Sequence, residues 1–188
     1  MIVDVRYKIL QEPFNTDPFL HFVVKDLFPL EFQKLIKSEY KKEKMTRRNY
    51  NNESMWQGLL EGELFDFFAI DIAPILQEKF KSKTLIRQDN QGPVFKKDRP
   101  WMKLQRVHRD LWDHIEGRSF TFQYFFSVAD RPDGGTILHD KKRKPVLELP
   151  LINNSCTVFE NSDISYHSVA QRGYDRNSVL VRFKEVDK

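Results

Sequence analysis

The chain has little cysteine, no long apolar run and no strong excess of charge of one sign, and each shortage closes off a class of protein. One cysteine, Cys156, in 188 residues excludes an intrachain disulfide and any multi-cysteine zinc site, and suits a reducing cytosol. No apolar run approaches the roughly 20 residues that span a bilayer, and the opening MIVDVRYKILQEPF lacks a basic stretch followed by an apolar core. No membrane partner is expected, and a cytoplasmic location is. Lys and Arg number 31 against 27 Asp and Glu, spread along the chain for a formal charge of +4. That mild excess leaves no nucleic-acid footprint. No internal repeat or low-complexity segment is visible.

What is present is an ordinary globular composition, with 40% hydrophobic and 31% charged residues, enough for one packed core. At this length a single domain, 1–188, is expected. The 16 Phe are notable because many sit in alternating runs that read as strands, and each carries a large buried area. The first hundred residues read as mainly helical support and flap, after a short opening strand and a turn bounded by Pro13 and Pro18. Phe19, His21, Val23 and Val24 make a strand. In the stretch that follows Pro29, Phe32, Leu35 and Ile36 recur at helical spacing, with lysines gathered in the last turns where they complement the helix dipole. Glu61 to Lys81 repeats the pattern, with Leu64, Phe65, Phe68, Ile72, Ile75, Leu76 and Phe80 on one face. Pro74 should kink or split that helix. The polar stretches Thr46 to Gly58 and Arg87 to Arg99 read as loops, and either is a candidate flap.

From Trp101 the texture changes to short apolar or alternating runs, around Leu104 to Val107, Phe120 to Val128, Thr136 to Leu138, Val146 to Leu149, Thr157 to Phe159 and Ser178 to Phe183. Turn signals at Arg131 to Gly135 and at Asn153-Asn154 separate them. Together these predict an α+β chain whose residues 101–188 form a β-sandwich or jelly roll, with N-terminal helices packed on one sheet.

His108-Arg-Asp110 stands at the end of one strand-like run, and His167 opens another. Residues i and i+2 of an extended strand share a face, so one short segment delivers an imidazole and a carboxylate while a distant strand supplies a second imidazole. Two His and one carboxylate on one side of a metal leave positions open, the arrangement of O2-activating non-haem iron. An isolated H-x-D is common and by itself describes a surface His beside a solvated Asp. Nine positions after His167 comes Arg176, and two further on Ser178, on the same strand face. A guanidinium fork beside a hydroxyl suits a carboxylate, although an arginine alone is as readily a structural ion pair.

These residues together resemble the 2-oxoglutarate and Fe(II)-dependent dioxygenases, in particular their prolyl-hydroxylase-like branch, which carries H-x-D, a long gap, a second His, and R-x-S nine or ten residues later. Further pieces match in order. Glu116-Gly-Arg118 leading into Phe120-Thr-Phe-Gln-Tyr124 is similar to the family's turn and strand after the first ligands, and Gly134-Gly135 to the glycine pair before its next strand. Asn153 to Phe159 followed by Ser165-Tyr-His167 resembles the approach to its distal histidine. The resemblance covers roughly Trp101 to Lys184, and Asp17 to Pro29 is similar to the opening of many bacterial and phage members. It implies a double-stranded β-helix. It also implies Fe(II) held by His108, Asp110 and His167, with 2-oxoglutarate bound through Arg176 and Ser178 and O2 as the oxidant. The expected reaction is hydroxylation of a small-molecule or peptidyl substrate with release of succinate and CO2.

Several assignments stay open. His114 and Glu116 form a rival H-x-E pair six residues downstream; His108 and Asp110 are favoured because His114 leaves almost no room for a turn before the Phe120 strand. Gln123 and Tyr124 alternate on a central strand, so one faces inward; if Tyr124 does, its hydroxyl helps hold the co-substrate. Trp101, Trp112 and Tyr166 are candidates for a substrate mouth. His139 reads as a surface strand end, His21 as a packed strand residue, and Lys141 to Lys144 as a solvated hairpin. Two other readings share the scaffold: a non-catalytic binding module, and a cupin-like metalloenzyme needing no 2-oxoglutarate.

Overall fold

The computed structural model of the chain describes residues 1–50, 53–88, 92–98, 105–110, 117–169 and 173–187, with backbone only at 48–50, 53–55 and 105–106. The chain opens on a helix, α1 (Ile2–Gln11), where a short strand was expected. Tertiary packing decides it: Val5 and Ile9, one turn apart, are fully buried. A bidentate ion pair ties the helix to its neighbour, with Arg6 donating Nε to Glu78 Oε2 at 3.0 Å and Nη2 to Oε1 at 2.7 Å. Helix α2 (Leu30–Lys42) starts at Pro29, buries Phe32 and Ile36, and ends on Lys41 and Lys42. Next come α3 (Gly62–Asp66), a π-helical turn (Phe67–Asp71) and α4 (Ile72–Phe80). The expected break at Pro74 takes this form, because Pro74 has no N–H for the carbonyl four residues back and the wider turn lies immediately upstream.

Among the described residues the strands form two sheets, and every pairing among them is antiparallel. The larger contains β1 (His21–Val24), β2 (Thr46–Tyr50), β3 (Glu53–Leu59), β4 (Thr84–Arg87), β5 (Val94–Asp98), β7 (Ser119–Phe125), β10 (Ser155–Asn161) and β12 (Arg176–Val186). Its order is β1, β10, β7, β12, β5, β3, β2, with β4 also paired to β12. The smaller sheet orders β6 (Gln105–His108), β11 (His167–Val169), β8 (Arg131–His139) and β9 (Pro145–Leu151). The result is an α+β sandwich. Among the described residues five strands lie before residue 99, so the first hundred residues contribute sheet as well as helices: Thr46 to Gly58 holds most of the antiparallel pair β2 and β3, and Val94 to Asp98 pairs with β12.

The main core lies between the larger sheet and the helices. Phe120, Phe122 and Tyr124 of β7 and Val179, Val181 and Phe183 of β12 meet Phe28, Phe68, Leu76 and Phe80 there. The rings pack edge-on or tilted, Phe28 to Tyr124 at 4.7 Å and Phe80 to Phe120 at 4.3 Å between centroids. A smaller cluster, Phe19, Leu138, Leu149 and Phe159, joins the two sheets. The Gly134-Gly135 pair lies inside β8 rather than in a turn. Gly134 has φ +89°, and a side chain on either glycine would strike the Tyr174 hydroxyl or the Leu149 carbonyl. Asn154, with φ +58°, makes the expected turn before β10.

Candidate metal centre

β6 and β11 are neighbours in the smaller sheet, and His167 pairs with His108 in register. Asp110 lies two residues beyond His108, just past the strand end, and is buried. Donor atoms of His108, Asp110 and His167 all lie within 4.8 Å of one another. His108 Nε2 is 3.7 Å from Asp110 Oδ1 and His167 Nε2 is 3.5 Å from Oδ2. His167 Nδ1 lies 3.1 Å from the Ser165 carbonyl. That carbonyl only accepts, so Nδ1 carries a proton and Nε2, turned toward Asp110, is the nitrogen left to meet a metal. Phe159 flanks the His167 ring at 4.8 Å.

Asp110 is held by the larger sheet. Arg182 of β12 donates Nη2 to Oδ1 at 2.8 Å, and Thr121 of β7 lies 3.1 Å from Oδ2. The Thr121 hydroxyl is also 3.1 Å from Asn161 Oδ1. One proton serves one acceptor, and the carboxylate is the stronger. Turning the Asn161 amide so that Nδ2 donates to Thr121 satisfies both groups, since Nδ2 is otherwise a buried donor without a partner among the described residues. Burial would raise the Asp110 pKa, but the Arg182 guanidinium and His167 outweigh it and hold the carboxyl well below the usual range. The site therefore presents an ionised carboxylate and imidazole nitrogens with no thiolate among its donors, a set that fits Fe(II).

Further along the same face of β12, Arg176 is buried, with its guanidinium 4.9 Å above the Phe125 ring. It donates Nη1 to Asp98 Oδ2 at 2.9 Å and Nη2 to the Thr136 hydroxyl at 3.1 Å. Its Nε is buried with no hydrogen-bond partner among the described residues. Ser178 Oγ accepts from Gln123 Nε2 at 2.9 Å. Gln123 is thus the inward member of its pair. Tyr124 points the other way, into the helix-packed core, with its hydroxyl donated to Asn154 Oδ1 at 3.1 Å. A side chain on that face cannot reach the Arg176 side of the sheet, which corrects the co-substrate role expected of Tyr124.

His139 does end its strand but is buried, with Nε2 2.8 Å from Ser168 Oγ and Nδ1 3.1 Å from the Arg143 carbonyl. His21 packs as expected, its Nδ1 2.8 Å from the Phe19 carbonyl. Tyr166 is flanked by the guanidiniums of Arg109 and Arg143, 5.3 and 5.0 Å from the ring centre, and Lys141 to Lys144 are exposed. Trp101, Trp112, His114 and Glu116 lie outside the described residues. Sequence reasoning passed over Thr121, Arg182, Lys96 and Asp98. The signal for Arg182 was available, because it follows Arg176 and Ser178 at even spacing on one strand face.

No protein-family model matches the sequence, and no curated protein sequence does. Among solved structures, a Pseudomonas putida prolyl-4-hydroxylase superposes with a TM-score of 0.67 at 12% identity, covering 100% of both chains. An oxidoreductase of the 2OG-Fe(II) oxygenase family from Burkholderia pseudomallei gives 0.68 at 10% identity, over 98% of this chain and 91% of the other. HygX from Streptomyces hygroscopicus, solved with nickel, 2-oxoglutarate and hygromycin B bound, gives 0.61 at 9%, over 88% and 83%. The chain therefore has the fold of the 2-oxoglutarate and Fe(II) oxygenases, including their prolyl-hydroxylase-like members, and brings a His-Asp-His triad together within it. No helix among the described residues is long and apolar enough to cross a membrane.

Proposed function

We propose that this chain is an Fe(II)- and 2-oxoglutarate-dependent dioxygenase, built on a double-stranded β-helix, that hydroxylates a small-molecule or peptidyl substrate and releases succinate and CO2. The observation that carries this reading is the meeting of the His108, Asp110 and His167 donor atoms within 4.8 Å on the same inter-sheet side as the buried Arg176. His108, Asp110 and His167 hold the metal, which when bound supplies O2 activation coupled to oxidation of the 2-oxo acid. Ser165 fixes the His167 tautomer, while Thr121 and Arg182 fix the carboxylate plane of Asp110 and Arg182 keeps it ionised. Arg176 and Ser178 bind the far carboxylate of the co-substrate. Because Gln123 donates to Ser178 Oγ, the serine hydroxyl keeps its own proton for a carboxylate oxygen. The substrate range is supported by the fold's appearance in both a prolyl-4-hydroxylase and a protein solved with hygromycin B bound.

The test is release of succinate from 2-oxoglutarate by Fe(II)-loaded protein under O2, compared with a His167→Ala variant. Wild-type protein should form succinate and the variant none. Equal succinate from both would remove His167 from the metal site, and iron-loaded wild type that consumes no 2-oxoglutarate would leave a binding module or a cupin-like enzyme.

A further inference from the structure

The surface behind the metal centre carries charge that the proposed chemistry does not use. Arg109 follows His108 and Tyr166 precedes His167, so both turn to the outer side of the smaller sheet when the two histidines turn in. There two guanidiniums lie over the Tyr166 ring, Arg109 at 5.3 Å and Arg143 at 5.0 Å from its centre. Arg143 belongs to the β8–β9 turn, where Lys141, Lys142 and Lys144 are also exposed. Hydrogen bonds fix this turn. Asp140 donates its N–H to the Lys144 carbonyl at 2.9 Å, and Arg143 donates to the Asp140 carbonyl at 2.8 Å. Asp140 Oδ1 accepts from the Lys142 and Lys144 amides at 2.8 and 2.9 Å, and His139 Nδ1 meets the Arg143 carbonyl. Arg143 has φ +63°, where glycine is unstrained, so a cation stands where the turn geometry alone favours glycine. Asp140 is spent on backbone amides, and among the described residues no carboxylate pairs with Lys141, Lys142, Arg143 or Lys144. Helix α2 differs, for there Lys34 pairs with Glu31 at 2.8 Å and Lys42 with Glu39 at 2.7 Å. Arg109 meets one carboxylate, Asp163, at 3.3 Å. Val146 and Ile164, two residues from Lys144 and Tyr166, are 47% and 45% exposed.

We propose that this face docks an acidic peptide segment. Guanidinium forks and lysine ammoniums fit carboxylates, and exposed aliphatic side chains among them fit the apolar residues of a peptide. Nucleic acid is the poorer match, because single strands bind on aromatic faces open to their bases and the ring among these residues is already engaged by two cations. Docking itself does not depend on a metal. It selects the peptidyl arm of the proposed substrate range, since Arg109 and Tyr166 neighbour the ligands His108 and His167 in the chain, and that step alone rests on the dioxygenase reading.

The experiment is fluorescence anisotropy on the full chain without metal, at low ionic strength, where surface charge is least screened. The probes are a labelled hexaglutamate peptide and a labelled single-stranded hexauridylate of equal length. Hexaglutamate should bind, and more tightly than hexauridylate. Arg143→Gly removes the cation and relaxes the turn, so it should weaken hexaglutamate by about two- to fivefold, the range for one exposed ion pair. Lys142→Glu with Lys144→Glu should weaken it about tenfold or more, because each reversal replaces an attraction with a repulsion. Lys34→Glu with Lys42→Glu makes the same change in net charge on α2 and should leave binding near the wild-type value. Four results would overturn the assignment: no binding of hexaglutamate, tighter binding of hexauridylate, an Arg143→Gly variant that binds like wild type, or an α2 pair that weakens binding as much as the turn pair. Because the titration needs no metal, a protein that docks hexaglutamate but forms no succinate would remove the dioxygenase reading and leave the docking face in place.

Discussion

On β7, Phe120, Phe122 and Tyr124 turn toward the helices while Thr121 and Gln123 turn toward the second sheet. On β12, Val179, Val181 and Phe183 go one way and Arg176, Ser178 and Arg182 the other. Both faces are buried, yet one is a run of aromatic and branched side chains and the other a hydrogen-bonded set of charges and hydroxyls. Successive residues of a strand point to opposite faces, so the same few residues carry the main core and orient the metal centre. Loss of core packing and loss of metal chemistry should then be separable by substitutions one position apart.

The inner face should break hardest at Asp110. Replacing it with Asn removes a proposed metal ligand and takes the Asp110 charge away from the buried Arg182. Metal binding and succinate formation should fall to background, and the metal-free protein should lose about 3–5 kcal/mol, the usual penalty for breaking a buried pair from one side. The sign with pH follows from the depressed folded pKa of Asp110. Its stabilisation is fully present above the ordinary aspartate range and is lost as pH falls through the lower folded value. Denaturant melts of both proteins from neutral to acid pH check this: the gap between them should narrow only on the acid side. A variant that still binds iron tightly would return the ligand role to the rival pair His114 and Glu116.

On the outer face, Phe122→Ala should cost about 3–5 kcal/mol through lost burial and a cavity under the helices. Protein that remains folded should keep its metal affinity. Scaling metal uptake to the folded fraction separates the two effects, and a parallel fall in intrinsic Mn(II) affinity would show that the faces are coupled.

Legibility in the sequence followed the same division. Strands with one apolar face were found from alternation, and β7, β10 and β12 run close to where Phe120 to Val128, Thr157 to Phe159 and Ser178 to Phe183 placed them. The cluster of His108, Asp110 and His167 was legible because H-x-D uses that same alternation. β5 was missed for a physical reason: its inward residues are Lys96 and Asp98, and charged residues buried against other charges look solvent-exposed in a sequence. The β2–β3 hairpin was missed as a polar pair at the sheet edge. Alternation left open whether Gln123 or Tyr124 faces inward, because both carry polar groups; the Tyr124 hydroxyl finds its partner, Asn154, inside the core.

Thr121 gives a smaller test of the inner face. Thr121→Val keeps the shape and removes the hydroxyl that meets Asp110 Oδ2. Outer-shell partners of this kind are worth about ten- to a hundredfold in metal affinity, so Mn(II) binding should weaken within that range with little change in melting temperature. Unchanged affinity would mean that Arg182 alone orients the carboxylate.

The smallest effect belongs to Tyr124→Phe, next door to Gln123. The variant keeps the ring packed against Phe28 and Phe68 and loses one hydrogen bond to Asn154. Asn154 Oδ1 still accepts from the Phe28 amide at 3.0 Å, so it is not left unsatisfied. Stability should fall by about 1 kcal/mol, while 2-oxoglutarate affinity by calorimetry stays at the wild-type value. A clear loss of co-substrate affinity would mean that the hydroxyl acts across the sheet, and the separation of the two faces would fail at the residue where a sequence reader is most tempted to join them.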